Sequence, residues 1–101
     1  MNVQLDHVAI QVKNIDRAIK WYTNNLSAET LYSDETWAML KVGDFRLALV
    51  KPEQHPSHIA ICVPSKECLI GGKVRVHRDG SSYIYKADSE GNIIELICWE
   101  K

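Results

Sequence analysis

The chain has 101 residues, 46% of them hydrophobic and 25% charged, which is the composition of one ordinary globular domain. A net charge of -1 without any Lys/Arg block argues against a nucleic-acid or membrane-surface role, and no apolar run approaches the roughly 18–20 residues of a membrane span. The N-terminal Met1-Asn2-Val3-Gln4-Leu5-Asp6 has neither the basic start nor the apolar stretch of a signal peptide, and the odd set Cys62, Cys68 and Cys98 forms no C-x-x-C, so a reduced cytoplasm is expected rather than a disulfide framework.

In chain order, His7-Val8-Ala9-Ile10-Gln11-Val12 alternates with the period of two of a half-buried strand. Asn14 or Asp16 then caps a helix with apolar positions Ile15, Ala18, Ile19, Tyr22 and Leu26, leaving Asp16, Arg17 and Lys20 on the wet side. Residues about 28–34, 35–42 and 45–51 read as a strand meander, in which Thr30, Tyr32, Trp37 and Val42 supply β-favouring side chains. Pro52 and Pro56 cannot sit inside a ladder, so residues 52–57 form a junction.

After the junction the opening returns. His58-Ile59-Ala60-Ile61-Cys62-Val63 repeats the first strand with four of six positions identical and Val exchanged for Ile at a fifth. A second repeated feature supports the first: Gly43-Asp44 precedes the apolar run Phe45–Val50, and Gly91-Asn92 precedes Ile93–Cys98. Between Val63-Pro64 and Gly71-Gly72 only one or two helical turns fit. Lys73–Arg78, Ser82–Ala87 and Ile93–Glu100 then read as three strands. The expected fold is therefore α+β: one domain over 1–101 of paired βαβββ modules, about 1–51 and 58–101, with the second helix truncated.

Strand alternation sorts the side chains onto two faces. Val8, Ile10 and Val12 face the helix, and His7, Ala9 and Gln11 face away. Ile59, Ile61 and Val63 repeat the apolar face, and His58, Ala60 and Cys62 the other. Glu95 shares its face with Ile93 and Ile97, and a carboxylate inside so apolar a run is costly to bury unless something pairs with it. A metal ion is a sufficient reason. His55 in the junction and His77 beside Asp79-Gly80 read as surface residues, and Trp21, Trp37 and Trp99 as core or interface aromatics.

These motifs resemble those of the vicinal oxygen chelate superfamily, the glyoxalase, bleomycin-resistance and extradiol-dioxygenase group. Leu5-Asp6-His7-Val8-Ala9-Ile10-Gln11-Val12 with Asp16-Arg17-Ala18-Ile19-Lys20-Trp21-Tyr22 is similar to that family's opening, and Asp88-Ser89-Glu90-Gly91-Asn92-Ile93-Ile94-Glu95-Leu96 to its closing motif. The resemblance implies two modules curved into a cupped mixed sheet around one divalent ion, with His7, His58 and Glu95 as ligands. The family's fourth-strand ligand position falls at Ala48, or at Leu47 without a gap, and neither binds a metal.

A His-His-Glu set keeps open positions and suits Fe, Mn, Zn or Ni. The resemblance then implies an enzyme of dioxygenase, lyase or transferase type, acting on a small substrate that chelates through two neighbouring oxygens. The alternative it implies is a metal-free protein that binds or sequesters a small molecule. Tyr85 is the candidate proton or hydrogen-bond donor, since a tyrosine near this position recurs in extradiol enzymes. Arg46 and Cys62 are candidate substrate contacts, against the plainer readings of a solvated edge charge and a buried inert thiol. Family members usually dimerise, and a homodimer is expected.

Overall fold

Eight strands and one amphipathic helix form the fold, in a computed structural model that describes residues 2–100. The elements are β1 (Gln4–Gln11), α1 (Ile15–Leu26), β2 (Glu29–Ser33), β3 (Trp37–Val42), β4 (Phe45–Val50), β5 (His58–Cys62), β6 (Arg75–Val76), β7 (Ser82–Ala87) and β8 (Ile93–Cys98). A single 3-10 turn, Lys66–Cys68, stands where the repeat calls for a second helix. The class is the α+β one expected. The chain divides into two compact units, His7–Ser57 and the residues up to Asp6 together with those from His58 onward.

The first unit is a βαβββ module with strand order β2-β3-β4-β1, in which β1 runs parallel to β4 and the other pairs are antiparallel. Of the two possible caps, Asn14 is the one used: its Oδ1 accepts from Arg17 N at 2.9 Å. Ser27 stops the helix in the left-handed region, at φ 53°. Beneath α1, Ile15, Ala28, Ala38, Leu40, Leu47 and Leu49 form the buried core, and Val8, Ile10, Val12, Ala18, Ile19 and Tyr22 pack onto it. Each large aliphatic side chain fully buried there stabilises by about 1.5–3 kcal/mol. On the opposite face Ala9, Ala48 and Val50 are buried with Met39.

The second unit repeats the order, β5-β8-β7-β6, with β5 parallel to β8. Its strand β6 pairs over two residues, and a tight turn follows it. Behind the sheet the 3-10 turn brings in Leu69, which is buried with Val63, Ile84 and Cys98. Gly72 is required by packing: a Cβ there would lie 2.8 Å from Tyr85 O and 3.2 Å from Ile84 Cβ. Large apolar side chains remain exposed on this unit, among them Ile59, Ile70, Val74 and Val76. Trp21 and Trp99 are not core residues, being 54% and 43% exposed, whereas Trp37 is half-buried against Tyr32 with ring centroids 5.0 Å apart.

Candidate metal centre

The turn between β7 and β8 sets the register on which the site depends. Asp88 accepts through Oδ1 from Glu90 N and Asn92 N, both at 2.8 Å, and through Oδ2 from Asn92 Nδ2 at 3.0 Å. Those bonds, led by the Asn92 side chain, hold the Asp88 carboxyl below its ordinary range. Gly91 takes φ 85°, a conformation open to glycine and costly to other residues. With the hairpin closed there, Tyr85 stands directly opposite Glu95. On the other side of β8, Ala60 of β5 is the register partner of Glu95, and its methyl leaves space beside the carboxylate. One face of this unit therefore presents His58, Ala60 and Cys62 from β5, Glu95 and Ile97 from β8, and Tyr83 and Tyr85 from β7.

Glu95 is 1% exposed. An ionised carboxylate so deeply buried costs several kcal/mol unless each oxygen is engaged, and both are. His58 Nε2 lies 3.2 Å from Oε1, and His77 Nε2 lies 2.7 Å from Oε2. The two distances describe different relationships. The shorter is a charge-assisted hydrogen bond in length. The longer also matches two ligand atoms of one ion: with bonds of about 2.0–2.2 Å, ligands 90–110° apart are separated by about 3.0–3.4 Å. The nitrogen–oxygen donor set and its burial thus fit a divalent ion. Around them run edge-to-face contacts, His58 on Tyr85 at 5.1 Å and Tyr85 on Tyr83 at 5.5 Å, and His77 lies flat on Tyr83 at 3.6 Å. Burial, followed by the charge of Glu95, pushes the Tyr85 phenol far above its ordinary range, so it is a neutral donor at physiological pH.

His58 and Glu95 are therefore brought together, with Tyr85 edge-on to His58. Cys62 is half-buried in register with Ile97, and desolvation raises its thiol pKa, so it is not an activated nucleophile. In the first unit, His7 lies on β1 and is 9% exposed, on the face of Ala9, whose register partner is Ala48. Arg46 is exposed on β4 opposite Lys41. A cleft of about 350 Å³ in this unit is lined by Lys13, Asp16, Asp34 and Lys51 among others, but by none of the candidate site residues.

The expectation for His77 needs correction. It is half-buried and bonded to Glu95, not a surface residue. The Asp79-Gly80 turn beside it is real, with Gly80 at φ 92°, but the turn folds the imidazole inward over Tyr83. The alternation Val74-Arg75-Val76-His77 puts His77 on the face of Arg75, whose register partner is Tyr83, but its place beside the Asp79-Gly80 turn suggests the surface. A second signal was the cost of Glu95, which calls for more than one partner.

The sequence pattern of the glyoxalase/bleomycin resistance protein/dioxygenase superfamily matches residues 4–63. Among solved structures, a hypothetical protein from Bacillus halodurans C-125 is similar over 100% of this chain and 97% of its own, with TM-score 0.83 and 20% identity. Methylmalonyl-CoA epimerase from Mycobacterium tuberculosis is similar over 96% and 88%, with TM-score 0.73 and 20% identity. A glyoxalase/bleomycin resistance protein/dioxygenase superfamily member from Vibrio splendidus 12B01 covers 96% and 99%, with TM-score 0.72 and 10% identity. No curated protein matches. The chain belongs to the glyoxalase/bleomycin resistance protein/dioxygenase superfamily. At such identities the structural likenesses speak for the fold alone.

Proposed function

We propose that this chain is a metal-dependent enzyme in which His7, His58 and Glu95 hold one divalent ion, of Fe, Mn, Zn or Ni type, for a small substrate that chelates through two neighbouring oxygens. The observation that carries the proposal is the buried Glu95 carboxylate with His58 Nε2 at 3.2 Å. His7 enters because it opens the strand that the His58 strand repeats, and because it too is buried. When bound, the ion supplies Lewis-acid polarisation of substrate oxygen, in a dioxygenase, lyase or transferase reaction. Tyr85, kept neutral by burial, serves as the proton or hydrogen-bond donor beside it. Ala60 leaves room, and Cys62 serves as a substrate-lining thiol rather than a nucleophile. Arg46 would supply the contact to an anionic substrate, although its exposure favours a solvated charge. On this reading both units work as one domain, in a cytoplasmic homodimer.

A second reading, a metal-free protein that binds or sequesters a small molecule, is favoured by the His77 bond to Glu95, which helps to satisfy the carboxylate without an ion. Elemental analysis of tag-free protein purified without oxygen separates the two. About one equivalent of metal per chain, lost in a His7→Ala/Glu95→Ala double variant, is expected for the enzyme. No uptake after dialysis against each ion, with the variant equally stable, would leave the binding protein.

A further inference from the structure

The hydrogen bond from His77 does more than satisfy a buried charge. Ionised Glu95 can only accept, so His77 Nε2 carries the hydrogen in the 2.7 Å contact, and Oε2 is engaged by it. The His77 ring has little freedom to leave. Its face lies 3.6 Å from the Tyr83 ring, with 8° between the planes. Its backbone is closed into the turn after β6, where His77 N donates to Ser81 O and Gly80 N donates to His77 O, both at 2.9 Å. Asp79 Oδ1 locks the turn, accepting from Ser81 N at 2.8 Å and from Ser81 Oγ at 2.6 Å, and Ser81 is fully buried. The turn's register, Val76 opposite Ser82 and Arg75 opposite Tyr83, sets the imidazole beside the carboxylate of β8.

We infer that His77 is a positioning residue for Glu95: by holding Oε2 it leaves the carboxylate one oxygen, Oε1, to offer an ion beside His58 Nε2. The inference rests on the metal reading above and deepens it, since it makes the ligand monodentate and gives the centre an outer partner on a third strand pair. Partners of this kind orient ligands, and their loss weakens metal binding by about 10–100-fold. Neither family resemblance nor the first-strand repeat marks His77, because no equivalent stands in the first half.

The test uses zinc alone, with affinity measured against a competing chelator, and infrared difference spectra of zinc-loaded and zinc-free protein carrying carboxylate-labelled glutamate. Monodentate carboxylates split their two stretching bands more widely than bidentate ones. His77→Phe keeps a ring on Tyr83 but has no donor, and His77→Gln keeps a donor without the ring. The expected result is zinc affinity near wild type in His77→Gln, about 10–100-fold weaker binding in His77→Phe, and a narrower band separation in His77→Phe only. Wild-type affinity and unchanged bands in His77→Phe would overturn the inference while leaving the metal reading in place. If wild-type protein takes up no zinc or other divalent ion, the metal reading falls and the inference with it. Should His77→Phe not fold, His77→Leu takes its place as the variant without a donor: weaker zinc binding with a narrower band separation upholds the inference, and wild-type affinity with unchanged bands overturns it.

Discussion

Ala48 occupies in the first unit the register position that Glu95 occupies in the second. Ala48 is opposite Ala9 across the parallel pair β1–β4, and Glu95 is opposite Ala60 across the parallel pair β5–β8. Because Ala9 and Ala60 are the third residues of the repeated strand, the fourth-strand position falls at Ala48 and not at Leu47, whose side chain belongs to the core beneath α1. The repeat has thus kept its carboxylate in one copy and a methyl group in the other.

Ala48→Glu tests that equivalence. At 3% exposure the new carboxylate would be buried without a built partner, and the metal-free variant is expected to lose about 2–4 kcal/mol of stability. On the metal reading, manganese or zinc should return a large part of that loss. Thermal melts with and without the ion decide it. Equal destabilisation in both would count against Ala48 lying near a metal.

The first unit should lose stability in acid through Asp34. Tyr32 Oη donates to its Oδ2 at 2.6 Å, while Thr36 N, Thr36 Oγ1 and Trp37 N donate to its Oδ1. Led by Tyr32, these bonds depress the Asp34 carboxyl far below its ordinary value. A depressed folded-state pKa means that the contribution is present above the ordinary Asp pKa of about 3.9 and is lost as pH falls below it. Urea midpoints from pH 6 to pH 2 should therefore fall more steeply for wild type than for Asp34→Ala. Parallel curves would remove Asp34 from the account.

Gly72→Ala is expected to destabilise by about 1–3 kcal/mol, the usual cost of forcing extra volume into a packed site. The added methyl would meet the carbonyl oxygen of Tyr85 and the Ile84 side chain, neither of which is a flexible chain end. The matching change at Gly91, where nothing lies within 4 Å, tests only backbone conformation, since its φ is 85°. Equilibrium denaturation of both variants separates the two causes: contact at Gly72 and strain at Gly91.

The bare back of the second unit bears on the expected homodimer. Ile59 and Val76, 45% and 66% exposed, share by strand alternation the face away from Glu95. Sedimentation velocity should give a dimer for wild type and a shift toward monomer for Ile59→Lys/Val76→Lys. A wild-type monomer at tens of micromolar would end that expectation.

Where side chains alternate over five or more residues, the structure follows the sequence closely: β1, β5 and β8 sort their residues onto the faces expected. The helix cap was ambiguous because Asn14 and Asp16 are both competent, and only backbone geometry chooses Asn14. β6 was legible as a strand, and only its short length and the inward turn of His77 were missed. Expected over Lys73–Arg78, the strand pairs only over Arg75–Val76, and His77 reads as a surface residue because it stands beside the Asp79-Gly80 turn. Glu95 was legible because a charge in an apolar run announces a cost that the fold must meet.

The single turn Lys66–Cys68 has a consequence for how the protein breathes. Where α1 shields one set of strands with a full layer, the other is backed by Leu69 and little else. Amides of β7 and β8 should accordingly exchange with solvent sooner than those of β3 and β4, the less covered half opening at lower cost. An ion gripped by His58 and Glu95 would tie β5 to β8 from the front, doing for that half what a helix does for the other from behind. Loading the centre would then slow exchange chiefly in β5, β7 and β8, so occupancy could be read from the motion of the half that lost its helix.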